Sequence, residues 1–407
     1  MLNRSTIEQT VRELTGIANR AEPTWTQGKV SSRTFGTPSG NFYSLLDDVR
    51  DSFEAIVRRL LNHSDWSAKF SETHMINCVR NVLSHAIDAH STDFIAPDFS
   101  DLLKELERYS TEHTVYVPIQ GLAMTVPDIK MGSVFLRSVV GDFNARIDEF
   151  CSRLEGFRAK NLSGIRVFAE YHAVAEPIRA EERAEDEARR VVDVLRYWMS
   201  WCTYPDGRFS VGLQAELRDG TRSPITTDSD GNAIRWGGKG VGILADFNLT
   251  QEIIEHIKNN RLFRLIDLLD RAEPTKLQQL LFVALRWFGY SQVLPDLENR
   301  FLSLITVLET FLTREGGSPI TAQIAEGVPL MFKLDLQRRL RMKKDLQDLY
   351  ALRGKISHHG SRAVTYSDFS RLHWIVRGFL AEMIECTRSL RTKEELLRSL
   401  EERRLGG

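Results

Sequence analysis

Arg353 and His358 close a helical run, Leu349-Tyr350-Ala351-Leu352-Arg353-Gly354-Lys355-Ile356-Ser357-His358-His359-Gly360, and their types suit phosphate chemistry. Arginine presents permanently charged, planar donors that can hold phosphoryl oxygens. A free histidine titrates near pH 6.5 and can give or take a proton in neutral water. Together they could cleave an RNA phosphodiester without metal. A base would take the ribose 2′-hydroxyl proton, the oxygen would attack the adjacent phosphorus, and an acid would protonate the leaving 5′-oxygen. The two residues stand about 140° apart on an ideal helix, so they diverge from each other yet can converge on a ligand. One pair is too few groups for acid, base and electrostatic clamp, whereas two copies across a two-fold axis would suffice. The same residue types are also favoured near a helix C-terminus by the macrodipole and by capping, so spacing alone leaves both readings open.

The helix that carries the pair is expected over 336–358, with Leu336, Leu340, Leu346, Leu349, Leu352 and Ile356 as its buried stripe. Arg353 and Ser357 share a face, Tyr350 lies one turn earlier on nearly the same side, and Lys355 adds a nearby cation. Upstream, Lys333, Arg338, Arg339, Arg341, Lys343 and Lys344 are opposed by Asp335 alone over the same stretch. Such a run reads either as an RNA-backbone contact or as a solvated face.

The elements around this helix point to an α+β chain. An N-terminal helical region, 1–110, is expected to contain amphipathic helices at Leu45–Leu61 and 72–90. Residues 111–268 read as an α+β unit with an antiparallel sheet: Thr114–Gly121, Gly132–Leu136, Ile165–Val174, Phe209–Leu217 and Gly240–Phe247 have strand composition. A long charged helix is expected from Pro177 to Ser200 and another over Gln251–Asp270. Beyond Thr250 the strand signals stop, and from Pro274 helices over 275–289, 295–313, 319–332, 336–358 and 366–391 form an all-α bundle, 269–392. Residues 393–407 read as a charged tail in the form of a frayed helix.

Bulk numbers place few limits on function. With 42% hydrophobic and 27% charged residues the composition is that of an ordinary globular protein. The net charge of −1 conceals an asymmetry: residues 271–407 carry 22 Lys and Arg against 16 Asp and Glu, so the Arg/His pair lies in the basic part. Cys78, Cys151, Cys202 and Cys386 show no metal-type spacing and read as reduced thiols of a cytoplasmic protein. The first residues lack a signal-peptide core and no apolar run approaches membrane length, so no membrane association is expected. Gly237-Gly238-Lys239-Gly240 lacks phosphate-loop order, and Asp228–Asn232 lacks calcium-loop order, so both read as turns. Trp198, Trp201, Trp236 and Trp287 read as core. No metal and no cofactor is expected.

Three segments in order, Leu297–Phe311 with Leu308-Glu309-Thr310, then Ile320-Thr321-Ala322-Gln323-Ile324-Ala325, then Leu349–Gly360, resemble the Apea-like branch of the HEPN superfamily. Tyr116–Gly121 followed by Gly132–Leu136 also looks like the N-terminal region that accompanies such modules. The resemblance implies a helical bundle that forms a homodimer or higher homo-oligomer. In active members it implies metal-independent endoribonuclease activity leaving a 2′,3′-cyclic phosphate, often in a toxin or abortive-infection effector of antiviral defence. By this resemblance Arg353 and His358 match the catalytic motif and Glu309 the acidic residue of the earlier helix; His359 is a rival imidazole. The implied partners are RNA, with tRNA as one substrate, and a phage-derived trigger. Gly354 departs from the polar residue that many active members carry after the arginine. The alternative is a non-catalytic dimeric module that binds RNA, nucleotide or protein. A further alternative makes Tyr350 the acceptor of a modification by a partner enzyme.

Overall fold

The computed structural model describes residues 4–18, 20–23, 34–36, 42–44, 47–88, 108–126, 128–139, 165–203, 211–213, 225–227, 233–236, 246–260, 262–314, 319–359 and 364–406. These fall into two compact units, residues 1–115 with 172–185, and residues 116–171 with 186–407. The expected Asp228–Asn232 turn and the Gly237–Gly240 cluster lie outside the described residues.

The first unit is built on helices α1 (Arg4–Ala18), α2 (Asp47–Leu61), α3 (Ser64–Ser67) and α4 (Glu72–Asp88). The spacing of Phe53, Ile56, Val57 and Leu60 turns one face of α2 inward, against Leu14 and Ile17 of α1 and Met75, Val79 and Leu83 of α4. Three short strands, β1 (Glu22–Pro23), β2 (Thr34–Gly36) and β3 (Phe42–Ser44), pair antiparallel in the order β1-β3-β2. The expected helix start at Leu45 moves to Asp47.

A sheet of five strands, in the order β6-β7-β8-β4-β9, has most of its residues in the second unit. Its members are β4 (Thr111–Gln120), β6 (Ile129–Met131), β7 (Val134–Ser138), β8 (Val167–Ala175) and β9 (Gly212–Leu213). The β6–β7 hairpin turns at Gly132, which has φ 64. Here glycine is required twice over: the backbone is left-handed, and an added Cβ would come within 2.8 Å of Leu269 Cβ. A hairpin of β10 (Ile225–Thr227) and β11 (Ala233–Trp236) was not expected from composition. Parallel pairing of β5 (Leu122–Met124) with β12 (Phe247–Leu249) departs from the all-antiparallel expectation.

Helix α5 runs from Pro177 to Cys202, with its residues to Glu185 in the first unit and the rest in the second. Its start is capped by Glu176, whose carboxylate accepts from the amides of Ile178 at 2.9 Å and Arg179 at 3.0 Å. The single helix expected over Gln251–Asp270 is two, α6 (Gln251–Asn259) and α7 (Arg264–Leu269). The break follows from Asn260, which leaves helical geometry as the C-cap while its side-chain amide donates to His256 O at 2.8 Å.

The bundle comprises α8 (Lys276–Val293), α9 (Leu297–Leu312), α10 (Ile320–Met331), α11 (Leu336–His359), α12 (Tyr366–Cys386) and α13 (Lys393–Gly406). Capping boxes at Thr275/Gln278 and Thr365/Asp368 fix where α8 and α12 begin. Phe288, Phe301, Leu304, Leu308, Phe311, Phe369, Val376 and Phe379 fill the core. At Gly289, α8 comes so close to α5 that a Cβ would lie 2.8 Å from Asp193 Oδ1. The helix expected to fray over 393–407 is docked instead: Leu396 and Leu400 of α13 are buried. Among the described residues no helix is long and apolar enough to cross a membrane.

Candidate functional site

The structure brings Glu309 of α9 against Arg353 and Tyr350 of α11. The Arg353 Nε lies 3.3 Å from Glu309 Oε1, and the Tyr350 hydroxyl donates to that same oxygen at 2.5 Å. The Arg353 guanidinium also sits over the Tyr350 ring, 5.5 Å from its centroid. Thus one carboxylate oxygen and one aromatic face hold the arginine between them. Its side chain remains 35% exposed, so one side of the cation still faces solvent.

The positions follow from the helices. Leu346 and Leu349 bury one face of α11, and Tyr350 is carried in beside them. Arg353, one turn later, emerges at the edge of that face, where Glu309, in the last turn of α9, meets it. Burial raises the Tyr350 phenol above its ordinary pKa; the Glu309 hydrogen bond and charge push the same way, with Arg353 opposing them. The phenol is therefore neutral, donated to Glu309 and 8% exposed, an arrangement that does not present it as an acceptor for modification.

The remaining predicted residues distribute unevenly. The α11 backbone continues through His358 and His359, but the side chains from Ser357 to His359 lie outside the described residues. Lys355 is exposed on the same helix. Gly354 has open space around it: an added Cβ would meet nothing within 4 Å. The expected buried stripe is only half right. Leu346 and Leu349 are buried and Leu352 and Ile356 half-buried, whereas Leu336 is 68% and Leu340 52% exposed. Periodicity reports that a face is apolar and not whether a neighbour covers it.

The upstream cations do not form one uncommitted stripe. Arg338 pairs with Asp335 at 3.3 Å and Lys343 with Glu326 at 3.0 Å. Arg339 is half-buried, while Arg341 and Lys344 are exposed. Among the tryptophans expected in the core, Trp198 is fully buried, Trp201 half-buried and Trp287 exposed at 37%. The side chain of Trp236 lies outside the described residues.

Sequence reasoning passed over a second cluster in the bundle. Arg377 of α12 lies between the indoles of Trp201 and Trp374, 4.3 and 3.8 Å from their centroids, and donates to Ser200 O at 2.8 Å. His373, fully buried among Phe288, Phe369 and Trp374, has no hydrogen-bond partner on either ring nitrogen among the described residues. Its pKa falls to about 3 through burial, reinforced by the charges of Arg377 and Arg300. A lone His in an apolar helical run gives no sequence signal of this environment. Among the described residues no cluster of His, Cys, Asp and Glu could hold a metal ion. No protein-family model, curated protein or solved structure matches the chain.

Proposed function

We propose that the chain is a metal-independent endoribonuclease of HEPN type, cutting RNA by attack of the 2′-hydroxyl to leave a 2′,3′-cyclic phosphate. The observation that carries the reading is the half-exposed Arg353, held by Glu309 and Tyr350 five residues before His358. A guanidinium fixed in this way is preorganised to take phosphoryl oxygens as charge builds on them. Glu309 positions Arg353, and His358 or its neighbour His359 carries the proton. Two copies of the bundle would place the sites side by side and supply the second acid or base. Cellular RNA, with tRNA as one substrate, and a role in defence against phage follow from the resemblance alone.

The test is direct. Purified chain is incubated with labelled tRNA in the presence of EDTA, and the product ends are analysed. The expected outcome is cyclic-phosphate ends, lost at least a hundredfold in Arg353→Ala and in His358→Ala, with folding unchanged by circular dichroism. Cleavage that persists in both variants sinks the reading, as does activity abolished by EDTA.

A second reading draws on the ion pair itself. Glu309 neutralises part of the Arg353 charge, which also suits a non-catalytic dimeric module whose arginine fastens α11 to α9. That reading expects salt-sensitive RNA binding with no cyclic-phosphate product at any pH.

A further inference from the structure

Away from Arg353, α7 and the end of α12 enclose an open cleft of about 700 Å³ lined by Phe263, Arg264, Asp267, Arg271, Glu385 and Arg388. Its three guanidiniums face two carboxylates, and one of those, Glu385, is already paired with Arg388 at 3.1 Å. Arg264 and Arg271 have no carboxylate within 4 Å among the described residues. A fourth cation borders the cleft: Lys258 Nζ sits 5.1 Å from the Phe263 ring centroid. The Phe263 ring is fixed in turn by stacking on the buried Trp198, at 6.1 Å and 11°. The cations therefore gather beside an aromatic ring without enough acids to balance them.

From this arrangement we propose that the cleft is a binding site for a phosphate chain, either free or carried by a nucleotide. Three features support it. The volume lies in the range of small-ligand sites. Planar guanidiniums offer paired donors that match phosphate oxygens. The cations also crowd one another: burial lowers the Arg264 pKa, and the Arg388 charge lowers it further, against a weaker opposing effect from Glu385. A bound polyanion would relieve that crowding. Asp267, exposed between Arg264 and Arg271 in sequence, repels an anion and so lowers the affinity that the guanidiniums alone would give.

The proposal is tested on the full chain by isothermal titration calorimetry at low salt with pyrophosphate, ADP and adenosine. Heat is expected with pyrophosphate and ADP and none with adenosine. Equal affinities for the first two assign the phosphate chain alone as the ligand; tighter ADP binding assigns a nucleotide. Both support the site. Arg264→Gln combined with Arg388→Gln is expected to weaken binding at least tenfold, while Arg264→Gln alone holds or raises the melting temperature because it removes a crowded charge. Absence of heat with both pyrophosphate and ADP overturns the proposal, and so does unchanged affinity in the double variant. None of these readouts depends on RNA cleavage, so the site stands or falls apart from the nuclease reading.

Discussion

At the scale of single residues, Gly354 and Glu309 illustrate opposite limits of what a sequence discloses. Gly354 breaks the expected motif, and the structure shows a helical position with nothing within 4 Å of an added Cβ. No close approach requires glycine there. Gly354→Ala should therefore stabilise the chain by about 0.5–1 kcal/mol, the cost of glycine within a helix, as read by urea denaturation. A loss of stability would mean that the position carries a constraint beyond its backbone. Tyr350 and Arg353 were legible as neighbours because three residues on a helix share a face. Glu309 entered only through the family resemblance, since no local pattern joins it to a residue on another helix. The His373 environment was illegible for the same reason: its aromatic walls come from α8 and from both sides of its own helix.

Elements tell a similar story with glycines as the contact points. Strand and helix composition located most of the sheet and the bundle helices from α8 to α12, with ends moved by caps such as Thr275 and Thr365. What composition could not give is which element touches which. Gly132 and Gly289 mark two such contacts, the hairpin against Leu269 and α8 against Asp193 of α5. Gly289→Ala should cost about 1–3 kcal/mol as overpacking, because Asp193 and Arg196 are themselves buried and have little room to yield. Gly132→Ala should cost at least as much, since the left-handed backbone adds strain to the clash. Thermal melts of the two variants check both, and a neutral result at either would show that the element can shift. The exposed Leu336 and Leu340 make the complementary point: an amphipathic period was visible, but its partner was not.

For the whole molecule, acid should act on the two units through different groups. Glu176, in the first unit, accepts from the Ser71 hydroxyl, the Ser71 amide at 3.1 Å and two amides of α5. Burial opposes its ionisation, but these hydrogen bonds together hold its carboxyl below the usual range. Its contribution is thus present above the unfolded carboxyl pKa of about 4.3 and is lost as pH falls through the lower folded value. His373, in the second unit, is neutral when folded with a pKa of about 3, while the unfolded chain takes up the proton near 6.5. Its contribution is full above pH 6.5 and declines on acidification down to about 3, by up to about 1.4 kcal/mol per pH unit. The second unit should therefore weaken first as pH drops. His373→Leu should flatten the slope of stability between pH 6.5 and 4, and Glu176→Gln should flatten it only below about 4.3. Denaturant melts across that range check both; a slope unchanged in His373→Leu would mean that the imidazole finds a partner in solution.

Arg377, clasped between Trp201 and Trp374, gives the bundle a natural optical gauge. Two indoles locked on either side of a planar cation occupy an asymmetric field that free indoles lack, and should contribute a near-ultraviolet dichroism band of their own. Trp201 belongs to the end of α5 and Trp374 to α12, so the band reports whether these two helices remain clasped. Ligand titrations and acid melts alike could be followed through it without any added label.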